Sequence, residues 1–300
     1  MNLLLIGVIA VPFLFAVATL ADKFLVHGDG DDSNPGAIQA LGGVFSIIFI
    51  VPFGLYVYFS NRDLGDWNTF VCLMFIEGLQ ILSMYLYMTV LKDEGPSRVA
   101  PWWQTVPVYG AIAGIFFLTE IPSTIEWVGI ILVVVGGIIV SFKKGHLSKK
   151  TVILMTLATL MIAIYEVGFA NFGRDIDWVS ALLISLLGKV FWGLMFLVGK
   201  KERRGFIIAI RTKFKIQSIT ETTCVVADLG LLYFILVLPV ALVQSICCFQ
   251  PLFVLGGAIY LSRYFPKVMQ EETEGYTRIQ KVVGTILVVI GGIILSIIMN

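Results

Sequence analysis

Four ionisable side chains stand where water is scarce: Glu77, Glu166, Lys189 and Asp228 each lie within a long apolar run. A charge at mid-depth in a membrane costs a few kcal/mol, so it faces a partner or a wet cavity. There a carboxylate can exchange a proton for a solute, and an ammonium can hold a carboxylate. Lys189 is the most informative, because it is too deep in its run to snorkel to the surface easily. It is either a contact in a transport cavity or half of a buried ion pair that locks two helices, with three acids available as partners. Gln80 follows Glu77 by three residues and shares its helix face, which Tyr87 continues. Such a stripe lines a cavity or hydrogen-bonds a neighbouring helix. Trp103 and Gln104, after Trp102, open another run ahead of Pro107. The tryptophans stack on a planar or cationic ligand, or anchor the helix end at the interface. Gln250-Pro251 takes the matching place in the second half, which pairs Gln104 with Gln250 as cavity groups. Glu166 lies nearer one end of its run and reaches either the cavity or the interface.

The candidate substrate contacts are therefore Glu77, Gln80, Trp103, Gln104, Glu166, Lys189, Asp228 and Gln250. Catalytic and metal sites are not expected. The two histidines, His27 and His146, sit in connections, and the sequence has no His-Glu-x-x-His, phosphate-binding glycine loop or nucleophile elbow. No cofactor and no nucleic-acid partner is expected, and transport, if it occurs, runs on gradients or exchange. The four cysteines, Cys72, Cys224, Cys247 and Cys248, fall in apolar runs at no zinc spacing and read as small packing residues.

The elements that must hold these residues follow from composition. The chain is 58% hydrophobic and 14% charged, against about 45–50% and about 25% in a soluble domain. Too little polar surface is present to cover it in water, so lipid is its solvent. Apolar runs at about 3–21, 37–59, 68–91, 98–118, 125–142, 151–171, 178–199, 216–237, 240–262 and 281–299 each suit one span of about 20 residues. The division at Pro239-Val240 is the least marked. No Lys or Arg precedes the first run, so it reads as a retained helix and not a signal peptide.

Two stretches are nearly copies. GIILVVVGGIIVS at 129–141 and GTILVVIGGIILS at 284–296 agree at ten of thirteen positions. Two like halves in a membrane place a substrate site where they meet. Five runs fall in each half, which gives an all-α, polytopic fold of ten transmembrane helices in two inverted repeats, 1–145 and 146–300. Gly136-Gly137 and Gly291-Gly292 permit close helix approach.

Charge sets an orientation. Nearly all Lys and Arg fall in odd-numbered connections, while the even ones hold only Arg62 and Arg174. The positive-inside rule then puts the odd connections in the cytoplasm and both termini outside. The acidic Gly28–Asn34 loop lacks the sixth-position glycine and twelfth-position glutamate of a calcium loop and reads as a solvated turn. The basic stretch from Lys200 to Lys215 reads as a topological anchor at an anionic leaflet.

The chain resembles the drug/metabolite transporter superfamily, in its ten-helix members with two EamA-type repeats. The resemblance lies in residues 95–101 (GPSRVAP), Pro107, Leu118-Thr119-Glu120 and the glycine-rich 129–141, with Asp22-Lys23 and Pro251-Leu252-Phe253-Val254 alongside. It departs at Arg263-Tyr264, where the second repeat lacks the acidic turn, and at the extra stretch from Met269 to Thr277. Family members are usually drawn with both termini in the cytoplasm, opposite to the charge count. The resemblance implies a secondary transporter, exporter or exchanger, that moves small metabolites or drugs across a cell or inner membrane. Alternating access, gradient coupling with protons as the candidate ion, and a cavity between the repeats would go with it. A structural or receptor-like membrane protein, a lipid-linked sugar flippase and a divalent-cation carrier remain the alternatives.

Overall fold

The computed structural model describes residues 3–27, 30–94, 99, 102–141, 148–265 and 276–298. Most of the 95–101 motif, Lys143, Lys144, His146, Lys267 and nearly all of the 269–277 stretch lie outside the described residues.

The described residues form helices α1 (Leu3–Val26), α2 (Pro35–Phe59), α3 (Trp67–Asp93), α4 (Val106–Phe117), α5 (Thr124–Ser141) and α6 (Lys149–Gly173). There follow α7 (Trp178–Met195), α8 (Lys200–Thr212), α9 (Phe214–Val237), α10 (Val240–Cys247), α11 (Gln250–Ser262) and α12 (Tyr276–Ile298). Local chemistry starts several of them. Asn34 accepts from the amides of Gly36 and Ala37 ahead of α2, Asp66 from Thr69, Ser148 from Thr151, and Asp177 from Val179 and Ser180. Each cap satisfies amide groups that the first helical turn leaves without a partner. The exposed Asp66 carboxyl is held below its usual range chiefly by its bonds to Thr69.

Seven segments are long and apolar enough to cross a membrane, with α10 and α11 together as one of them, and α4, α5 and α12 hold three shorter apolar helices. All ten coincide with the runs read from the sequence. Large apolar side chains point outward, including Ile48, Val51 and Leu55 on α2 and Ile286, Val289 and Ile293 on α12. Such a surface needs lipid around it.

The pairing of helices has a two-fold pattern. α5 packs along α12, and α2 along α7. α3 packs on α6 as α9 packs on α1, and α4 on α6 as α11 on α1. The α5–α12 seam is itself reciprocal. A Cβ at Gly136 would lie 2.7 Å from the Gly284 carbonyl oxygen, and one at Gly291 would lie 2.8 Å from that of Gly129. The two helices thus meet backbone to backbone, as the glycine pairs suggest.

The connections collect at two ends. At one, Lys23 donates to the carbonyls of Leu91 and Glu94 (2.9 and 3.0 Å), joining α1 to α3, and Lys150 lies 3.7 Å from Asp93. At the other, Arg62 pairs with Asp177 at 3.0 Å and Arg174 pairs with Glu120. The only two basic residues of the even connections are therefore both bound to carboxylates of other connections.

One expectation is corrected at the first end. The basic stretch after Lys200 is a helix, α8, because its apolar residues recur at helical spacing among the charges. Gly205 and Ala209 are buried, while Ile207 and Ile210 are exposed beside the basic side chains. The acidic turn is no free, solvated loop: Asp31–Ser33 form a 3-10 turn that clasps α8. Arg204 lies 3.2 Å from Asp31, Thr212 donates to Asp32 at 3.0 Å, and a Cβ at Gly205 would clash with the Asp31 carbonyl. Lys213 reaches Ser33 at 2.7 Å, and burial pulls its pKa below the usual lysine value despite nearby Asp32.

Candidate functional site

Three helix faces carry the polar residues inward. On α9, Gln217, Glu221, Cys224 and Asp228 recur at spacings of four, three and four, one side of a helix. On α3, Glu77, Gln80, Met84 and Tyr87 do the same. On α1, Phe15, Thr19 and Asp22 lie along one stripe. These faces meet Glu166 of α6, Lys189 of α7 and Gln244 of α10 around one cavity. The centres of water-sized molecules can range over about 130 Å³ of it. One water needs about 10–15 Å³ by that measure, so the space suits a small organic solute.

Two interrupted helices also border the cavity. The fourth run breaks at Gln104-Thr105, and Pro107 lies just inside the start of α4. The ninth breaks at Cys248-Phe249, and Pro251 lies just inside the start of α11. Pro107 and Pro251 therefore do not kink helix interiors; each begins a new helix, where a missing amide hydrogen costs nothing. Non-helical backbone at membrane depth is tolerated where it lines a cavity, and Gln104 and Gln250 both do so here. Gln250 donates to Thr19 at 2.9 Å, and Gln104 is buried against Gly137, which has no side chain to exclude it.

The charges are bonded as follows. Lys189 Nζ lies 3.3 Å from Asp228 Oδ2 and 3.8 Å from Glu221 Oε2. Gln80 Nε2 donates to the same Asp228 oxygen at 3.3 Å, and Gln217 Nε2 donates to Glu221 Oε1 at 2.8 Å. Gln244 Nε2 donates to Glu166 Oε2 at 2.7 Å. Glu77 accepts from Ser185 Oγ at 2.8 Å, with the Tyr165 hydroxyl 3.5 Å from the same Oγ.

The cavity brings together Gln80, Trp103, Gln104, Glu166, Lys189, Asp228 and Gln250. Glu77 is not on its wall. It is almost wholly buried behind the wall, where Gly188 packs directly on its side chain. Sequence reasoning missed Asp22, Glu221 and Gln244. Asp22 lay just past the apolar run, although the helix continues to Val26. Glu221 gave a usable signal, since it precedes Asp228 by seven residues, two helical turns. Cys224 and Cys247 line the cavity and are not mere packing, whereas Cys248 is buried.

Below the cavity, towards the even connections, Arg174 closes a clasp. It pairs with Glu120 and donates to the carbonyls of Ile235 and Leu238 (2.8 and 2.7 Å), while Glu120 Oε2 accepts from the Val240 amide at 3.0 Å. One arginine thus ties the ends of α6 and α9 to the turn after α4. Arg174→Ala leaves those acceptors without their donor and is expected to cost about 1–3 kcal/mol. In a variant whose sole cysteine is Cys247, labelling by a membrane-impermeant maleimide should rise several-fold. Unchanged labelling would mean that the clasp does not restrain this end.

Residues 2–142 match the model of the EamA-like transporter family. A solved structure described as "Crystal structure of protein" is 14% identical, with a TM-score of 0.59 over 99% of this chain and 96% of that one, a likeness of fold. No curated protein matches. The first half is thus similar to the EamA-like transporter family, of the drug/metabolite type, and the apolar spans and lipid-ready exterior are those of an integral, multi-pass membrane protein.

Proposed function

We propose that the protein is a ten-helix secondary carrier made of two five-helix repeats, residues 1–145 and 146–300, that works by alternating access and couples transport to a gradient, with protons as the coupling ion. The observation that carries this reading is the cavity between α1 and α3 of the first half and α6, α7, α9 and α10 of the second, with buried Glu221 and half-buried Lys189 and Asp228 at its wall. The exchange of helix partners between halves and the paired breaks before Pro107 and Pro251 support the repeat division. Gln80, Trp103, Gln104, Glu166, Lys189, Asp228 and Gln250 are the substrate contacts, and Glu77 supports them from behind through Ser185 and Tyr165. A carboxylate that gives up its proton only when solute arrives, or the reverse, links two fluxes without any nucleotide.

The test uses proteoliposomes loaded with a pH-sensitive dye and challenged with a panel of amino acids, amines, nucleosides and hexoses. At least one solute should shift the internal pH in wild type, and Glu166→Gln and Asp228→Asn should abolish the shift while leaving the protein monodisperse. Solute uptake with no pH response in wild type would remove proton coupling. Uptake of none of the panel, under either sign of imposed gradient, would count against the carrier reading itself.

A further inference from the structure

We infer that the cavity recognises a small organic ammonium ion that carries N–H donors, with Asp22 as its anchoring carboxylate. This deepens the transport reading and rests on it for the route by which the cation moves. Charge is the first observation. Four carboxylates, Asp22, Glu166, Glu221 and Asp228, line the cavity against one cation, Lys189. Lys189 is shared by Asp228 and Glu221. Asp22 forms no direct ion pair among the described residues, Lys189 acting on it only from a distance, and its neighbour Lys23 is turned to the carbonyls of Leu91 and Glu94. A carboxylate that is 5% exposed, as Asp22 is, needs a counter-charge or a proton.

Hydrogen-bond bookkeeping is the second observation, and it is independent of charge. Three buried amide oxygens on the cavity wall, Gln80 Oε1, Gln104 Oε1 and Gln244 Oε1, have no partner in the protein, and the Asp22 carboxylate has only the neighbouring Tyr87 hydroxyl. All of these oxygens are acceptors only. Carboxylates fix the amide orientations, because Gln80 and Gln244 each point their nitrogen at Asp228 and Glu166. The wall therefore lacks donors, and an occupant that supplies them satisfies it. An ammonium offers donors and positive charge together; an anion or a bare ketone offers neither.

The surroundings of Asp22 suit the same ligand. Tyr87 and Trp103 are packed edge to face at 5.4 Å on the cavity wall, and aromatic rings attract cations. Phe15, Met84 and Ile162 supply apolar surface for the ligand's hydrocarbon part.

The experiment measures equilibrium binding of radiolabelled 2-phenylethylammonium to the purified protein, with 2-phenylethanol and phenylacetate as competitors of nearly the same shape. The amine should bind at least about tenfold tighter than either competitor, as expected when a charge-assisted bond is present or absent. Asp22→Asn should weaken the amine about tenfold and narrow its advantage over 2-phenylethanol, while Asp22→Glu should retain most of the affinity. Equal or tighter binding of the alcohol or the carboxylate by wild type would overturn the inference without any variant, as would undiminished amine affinity in Asp22→Asn. Counterflow of the amine in proteoliposomes separates the two readings. Binding without flux leaves the cation site standing and removes the carrier; flux of anionic or neutral solutes without amine binding removes the cation site and leaves the carrier.

Discussion

Lys189→Met should be among the most damaging single substitutions in the chain, lowering stability by about 3–5 kcal/mol. Among the described residues the lysine is the only cation on the cavity wall, and both Asp228 and Glu221 depend on it. Removing it leaves two carboxylates in a region of low dielectric, where the cost of a lone buried charge exceeds anything the added methionine packing returns. The same logic predicts rescue. Lys189→Met combined with Glu221→Gln and Asp228→Asn removes all three charges at near-constant shape, and the amides can still accept from Gln217 and Gln80. Unfolding in mixed detergent–SDS micelles should show the triple variant recovering most of the loss. A single Lys189→Met variant within about 1 kcal/mol of wild type would show that the trio contributes no net stability.

The second large effect is expected at the α5–α12 seam. An alanine methyl at Gly136 would sit 2.7 Å from the Gly284 carbonyl oxygen and 2.8 Å from the Val288 amide nitrogen. At Gly291 the nearest backbone atoms are the Gly129 oxygen and the Val133 nitrogen, at 2.8 and 2.9 Å. These obstacles are helix backbone, which cannot turn aside as a side chain can, so both helices must separate along their length. Gly136→Ala and Gly291→Ala should each cost about 1–3 kcal/mol, at the upper end of overpacking effects. Gly256→Ala is the control, since nothing lies within 4 Å of its added methyl. There the better helix propensity of alanine should raise stability by up to about 1 kcal/mol. Equal effects at Gly136 and Gly256 in the same micelle assay would mean that the close approach is not needed.

How much of this was legible in the sequence depends on which force fixed it. Lipid demands long, uninterrupted apolar runs, and that demand made the spans readable one by one, Pro239-Val240 included. The α5–α12 seam was readable because backbone contact requires glycine, and glycine pairs stand out among valine and isoleucine. α8 was not, because its charges at Lys200, Lys201, Arg203 and Arg204 masked an apolar face made of only a few residues. The breaks at Gln104-Thr105 and Cys248-Phe249 were not legible either, because the prolines that follow them start the next helices and leave no mark on the turns themselves. Within the site, depth alone picked out Lys189 and Asp228, which lie on the cavity wall. It could not separate Glu77, one helical turn from Gln80 on the same face, from the wall itself, because a few degrees of helix rotation decide that. It also passed over Asp22, whose helix outlasts the apolar run that announced it.

The clasps Arg62–Asp177 and Arg174–Glu120 have a consequence beyond holding connections together. They neutralise both positive charges of their end of the molecule, and Asp63, Asp66, Glu126 and Asp175 remain there without a basic partner among the described residues. That end consequently carries a negative field that draws small cations from solution and turns anions away, and dissolved salt weakens it within a screening distance of about 10 Å.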